Sequence, residues 1–173
     1  MPISPHNPER FPGAFLPVLL LSESGAILLR FGPQPEALRR FVLLSLLTAA
    51  ARQDLLYRRV PNRYPALIAF LALLPPFSPA LFPRLAAAVL TLLLLDGLNR
   101  LMRSLGLRTL GGADVKILSA LALHLSFGRL LRMILLASAL AAIRLLTLRR
   151  RRGEAFPFVP FIALAAAAEL LWG

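Results

Sequence analysis

A chain of 173 residues that is 58% hydrophobic, with eight acidic residues, has too little polar surface to cover a soluble core of its size. Its net charge of +12 sits in short clusters between apolar blocks, which fits membrane-flanking loops and argues against a nucleic-acid partner. The chain has no cysteine, which excludes disulfides and cysteine-based zinc sites.

The first thirty-five residues form an N-terminal arm with no regular pattern. The apolar stretch Ala14 to Leu21 is broken by Ser22-Glu23-Ser24-Gly25, and Glu9, the prolines and a poor cleavage site argue against a signal peptide. A peripheral segment, a re-entrant segment and an extra span all fit it. From residue 36 to 173 the pattern is regular and predicts one transmembrane domain. The first helix runs from Glu36 to Asp54 around a solid apolar stretch, Phe41 to Ala51. Tyr64 to Phe82 is a second, with Pro75-Pro76 expected to kink or end it. Leu85 to Met102 is a third, interrupted by Asp96, and Gly111 to Leu125 a fourth that is short for a bilayer. Leu130 to Leu148 and Ala155 to Trp172 complete the set. The expected class is therefore all-α: a polytopic helical membrane protein of about six transmembrane helices, in contact with membrane lipids.

Charge then orients the helices. The loops Arg52–Arg63, Arg100–Lys116 and Arg144–Arg152 hold thirteen of the twenty basic residues, and the alternate loops hold only Arg84, Arg129 and Arg132. The richer side is cytoplasmic by the positive-inside rule, although Arg39 and Arg40 run against the bias. The run Arg149 to Arg152 reads as a stop-transfer anchor for anionic lipid.

This orientation brings two acids to one membrane level. Asp54 ends the first helix on the cytoplasmic side, and Asp114 begins the fourth on that side. If packing brings the carboxylates within about 4 Å at an effective dielectric of about 20, their repulsion is roughly 4 kcal/mol. That raises the pKa of one of them by about three. One acid then keeps its proton while the other is ionised, as an aspartic peptidase requires. Gly111 and Gly112 precede Asp114 and permit close backbone approach. The plainer reading of this motif is also open: Asp114 as a helix N-cap, with Lys116 reaching lipid phosphates. Pro61 and Asn62 lie in an ordinary turn between two helices.

Together, "DLLYRRVPN" (Asp54 to Asn62) and "GGADVKILSALALHL" (Gly111 to Leu125) resemble the paired signature of the type IV prepilin peptidases. That family carries an aspartate shortly before a Val-Pro-Asn turn, then a Gly-x-Gly-Asp-x-Lys motif. The tail "FPFVPFIALAAAAELL" (Phe156 to Leu171) also resembles the family's last helix, so the likeness covers about Glu36 to Trp172. The resemblance implies an intramembrane aspartic endopeptidase that cuts the leader of prepilin-like substrate proteins at the cytoplasmic face of the bacterial inner membrane. Asp54 and Asp114 would be its catalytic pair, supported by Gly111, Gly112, Lys116, Pro61 and Asn62, with no metal and no cofactor. Ala113 stands where the family's second glycine is usual, which puts close backbone approach there in doubt. Lacking the cysteine-rich region of longer members, the chain resembles the short form of Flp/Tad-type pili, without methyl transfer.

The other polar residues have simpler explanations. Asp96 and Arg100 are spaced for an i,i+4 pair on a helical face that also holds Asn99 and Arg103. His124 lies opposite the aspartates by topology, with no second histidine near it to make a metal site. Glu169 is expected at the membrane interface. A small transporter or pilus-assembly component whose acids relay protons or form structural pairs is the alternative function, as is an inactive peptidase kept as a scaffold. Transporters commonly contain repeated halves, and no such repeat is visible.

Overall fold

A computed structural model describes residues 34–74, 81–107, 110–147 and 156–172, together with Ser22, Gly25 and Ala26. The bulk of the N-terminal arm, the Pro75-Pro76 kink and the Arg149–Arg152 run lie outside the described residues. Among the described residues the fold is six helices: α1 Pro35–Tyr57, α2 Arg63–Ala72, α3 Leu81–Ser104, α4 Gly112–Leu121, α5 Phe127–Thr147 and α6 Val159–Trp172.

The expectation of about six spans is only partly met. Two helices, α3 and α5, are long and apolar enough to cross a membrane. The ten-residue α2 and α4 rise only about 15 Å each, and the fourteen-residue α6 is also below spanning length. α1 has the length, but Glu36, Arg39, Arg40, Arg52 and Asp54 interrupt its hydropathy. α2 stops at Ala72, ahead of the prolines expected to end it, because a residue before proline is pushed out of helical geometry. α6 starts later than expected, since Phe156 to Phe158 are not helical and Pro160 suits only a first turn.

Packing follows from which faces are apolar. α1 opens with a proline at its first turn and buries Ala37, Leu44, Leu47, Ala51 and Asp54, a stripe at helical spacing that carries the carboxylate onto the inward face. The short α4 is buried at Val115, Ile117, Leu118, Ser119, Ala120 and Leu121, as expected of a helix surrounded by others. α6 presents Ala163, Ala165, Ala166 and Ala167 as buried small residues, which let neighbours approach closely. The principal contacts link α3 to α4, α4 to α2, α2 to α1, α1 to α6 and α6 to α5. The two helices long and apolar enough to span thus flank the core. α5 buries only Leu130, Met133, Ala137 and Ala141, and α3 only Asn99. Their outward leucines, Leu93 at 63% exposure among them, suit a lipid solvent.

The helix ends sort into two polar layers. At one end Arg39 donates to Leu74 O (2.6 Å), Arg40 to Leu170 O (2.8 Å), and Arg132 forks onto Glu169 at 3.0 and 3.1 Å. His124 Nε2 meets Ile68 O there at 2.8 Å. Arg39 and Arg40, which run against the charge bias, thus serve carbonyls at the C-terminal ends of α2 and α6, where cations are favoured. The opposite end gathers Asp54, Asn62, Asn99, Gly111, Asp114 and Lys116.

Candidate active site

Asp54 lies in the last turn of α1, which closes on Arg58 in the left-handed region (φ 52°), its N–H donating to Asp54 O at 2.9 Å. The Asp54 side chain is 9% exposed. Its Oδ2 accepts the N–H of Val159 at 3.2 Å, and the N–H of Phe158 also reaches the carboxylate. These two amides open α6, where a helix has no internal partners for its first donors. Asp54 therefore caps a helix distant in sequence, and the positive end of that helix favours its charge.

Asp114 stands at the third position of α4 and is 8% exposed. Its Oδ2 accepts the N–H of Gly111, the N-cap residue, at 3.1 Å. The N-cap reading of Asp114 is thus half right: the acid caps backwards from inside the helix while facing the core. A Cβ on Gly111 would lie 2.8 Å from that Oδ2, whereas one on Gly112 would meet nothing within 4 Å. A side chain at Gly111 would push on the Asp114 carboxyl, whereas one at Gly112 has open space. Ala113 sits half-buried in the first helical turn, a conformation that any residue with a Cβ adopts.

Electrostatics couples the two acids, neither of which lies in α3 or α5. Burial raises the pKa of Asp114 to about 7, and the charge of Asp54 pushes it the same way, against the Gly111 hydrogen bond. Burial also raises Asp54, opposed by the amides of Val159 and Phe158 and by the Arg58 cation. The ionised form is therefore better supported at Asp54, and the protonated form at Asp114.

The two motifs are also joined directly. Lys116 Nζ donates to Asn62 Oδ1 at 2.9 Å, so the lysine bridges α4 to the turn before α2. The Asn62 side chain makes no cap bond to α2. Pro61 contributes its carbonyl, which takes the Tyr64 N–H at 3.2 Å. Asp96 is paired with Arg100 at 2.9 Å, and His124 is at the opposite polar layer. Among the described residues no three His, Cys, Asp or Glu side chains converge.

Sequence reasoning missed two contributors. By sequence Asn99 shares a helical face with Asp96, Arg100 and Arg103, yet it points inward at 6% exposure and bonds Leu110 in both directions. The signal was its place on the stripe Ala88, Thr91, Leu95 and Asn99, the less exposed side of α3. The amides of Phe158 and Val159 have no side-chain signature. Pro160 at a helix start is the nearest hint that unpaired donors precede it.

A model of the type IV leader peptidase family matches residues 41–146, more than half of the chain. The match contains Asp54, Pro61, Asn62 and Gly111 to Lys116 and ends before α6. No curated protein and no solved structure matches the chain. With two buried aspartates electrostatically coupled within the matched region, the chain belongs to the type IV leader peptidase family, whose activity is that of an aspartic peptidase.

Proposed function

We propose that the protein is a membrane-embedded aspartic endopeptidase that removes the leader of type IV prepilin-like substrates of the Flp/Tad kind. The observation that carries this reading is the pair of coupled, buried carboxyls at one end of the bundle, each with an oxygen held by a backbone N–H. In the proposed reaction ionised Asp54 takes a proton from water, whose oxygen bonds to the scissile carbonyl carbon. Protonated Asp114 gives its proton to the carbonyl oxygen; the tetrahedral adduct then collapses as Asp54 passes the proton taken from water to the leaving nitrogen and Asp114 takes one back from a hydroxyl of the adduct. Gly111 and the Lys116–Asn62 bond hold the second acid and the turn beside the first.

The site would face the cytoplasm of a bacterial inner-membrane, multi-pass protein. The arginine-rich loops around it support that orientation. Those same arginines would repel a basic leader, so recognition rests on the apolar stem of the substrate, its cut-site backbone and the two acids. The test uses purified full-length protein in detergent and a synthetic peptide with a short basic leader, a glycine and an apolar stem. Cleavage by the unsubstituted protein, abolished in Asp54→Asn and in Asp114→Asn while both variants remain inserted, is the expected result. Near-normal cleavage by either variant would refute the dyad, and no cleavage by the unsubstituted protein would favour a transport or assembly role.

A further inference from the structure

We infer that Asn99 is a positioning residue for Asp114: its carboxamide bonds both the N–H and the C=O of Leu110, and the bond to the C=O orients the Leu110–Gly111 peptide group whose N–H holds the acid. The inference builds on the peptidase reading above. Asn99 Nδ2 donates to Leu110 O at 3.2 Å, and Asn99 Oδ1 accepts the Leu110 N–H at 3.0 Å. The side chain thus pairs with the main chain much as a neighbouring strand would.

The link to the acid follows from covalent geometry. Leu110 O and Gly111 N–H belong to one planar peptide group and point in opposite directions. Holding the oxygen therefore sets the direction of the N–H, and that N–H donates to Asp114 Oδ2 at 3.1 Å. A tilt of this one plane would move the carboxyl, because Gly111 sits against it too closely for even a Cβ to fit between.

The placement of Asn99 supports the same conclusion. It is the buried residue of α3, 6% exposed, while Leu98 and Leu101 beside it are 45% and 56% exposed. A carboxamide near the end of a membrane-spanning helix is unfavourable unless its donors and acceptor are met. Leucine has the same heavy-atom branching and would serve insertion better. What the amide adds is the clamp. α3 is thereby tied to the site by a polar contact, added to the packing of its partly buried Ala88 and Leu95.

The experiment compares Asn99→Leu and Asn99→Asp with the unsubstituted full-length protein in detergent, using the leader–glycine–stem peptide. Asn99→Leu removes both bonds with little change of shape. It is expected to lower kcat about tenfold to a hundredfold, with KM within about twofold. Asn99→Asp keeps the acceptor for Leu110 N–H but, when ionised, offers Leu110 O no donor. Its activity relative to the unsubstituted protein should rise as pH falls and the new carboxyl regains a proton, while the ratio for Asn99→Leu stays flat. Arg58, Arg103 and Lys116 and the two aspartates are common to all three proteins, so their titration largely cancels in these ratios.

Amide hydrogen exchange supplies a readout that needs no catalysis. Leu110 and Gly111 should lose protection in Asn99→Leu, and Leu110 should keep it in Asn99→Asp. Unchanged exchange at both amides, or a kcat within about twofold in Asn99→Leu, would overturn the inference. If the unsubstituted protein cuts no such peptide, the peptidase reading fails by itself. Exchange then decides the clamp alone: lost protection sustains it and retained protection overturns it.

Discussion

At the scale of single residues, the two glycines before Asp114 separate by what surrounds them. A methyl group at Gly111 would stand 2.8 Å from Asp114 Oδ2, closer than carbon and oxygen tolerate, and the movable partner is the carboxyl itself. Gly111→Ala is therefore expected to cost activity more than stability: about tenfold or more in kcat, with the thermal midpoint moved by only a few degrees. Gly112→Ala, with open space around it, should cleave within about threefold of the unsubstituted protein. Steady-state cleavage and a melting curve on both variants check this contrast. The acids make a second prediction. Asp114 must be protonated to donate and its pKa is raised to about 7, so cleavage should decline as pH rises through about 7. Stability has the same sign. An acid whose folded pKa exceeds its unfolded value of 3.8 stabilises most below that value and loses the contribution as pH rises to about 7. Denaturation midpoints of Asp114→Asn should accordingly be flatter than those of the unsubstituted protein between about pH 4 and 7.

At the scale of elements, the last helix takes part in the site although it lies outside the family match. Val159 occupies the first position of α6, where proline is well tolerated because that N–H has no partner within the helix. In Val159→Pro the helix should persist while Asp54 loses a donor. The carboxylate is then less stabilised, Asp54 holds its proton to higher pH, and the acid limb of the cleavage profile should move upward. A pH profile that matches the unsubstituted protein would show that this amide does not tune the acid. Much of this level was legible in the chain. The positions of Asp54 and Asp114 relative to apolar blocks put both acids at one end, and loop charge placed His124 at the other. The Asp96–Arg100 pair follows from i,i+4 spacing alone. The amides of Phe158 and Val159 were not legible, because every residue but proline carries the same N–H. The role of Asn99 is hidden in the chain because its sequence neighbours Asp96, Arg100 and Arg103 are charged, whereas its inward direction depends on which side of α3 meets α4.

At the scale of the whole molecule, hydropathy points to a membrane protein of about six spans, and two of the described helices are long and apolar enough to cross by themselves. The apolar blocks at α2, α4 and α6 have the composition of spans, yet α2 and α4 form ten-residue helices and α6 one of fourteen. Apolar composition reports burial of any kind, and here it reports packing against other helices as much as contact with lipid. α3 is long and apolar enough to cross a membrane, and its apolar surface is largely unburied. Leu93→Arg on that surface is predicted to reduce the membrane-inserted fraction, since arginine at a helix centre costs roughly 2.5–3.5 kcal/mol on insertion scales. The same substitution at Leu105, just beyond the helix, should insert normally. Membrane fractionation and protease protection of the two variants check the prediction.

The hydrogen bond from Val159 to Asp54 joins positions 105 residues apart. A nascent chain that has threaded its earlier helices therefore holds its first acid without the donors that favour its charge. Ripening of the enzyme should wait until the final segment leaves the ribosome and docks. Stalled translation products that lack α6 are expected to be proteolytically silent even though both aspartates have already been synthesised.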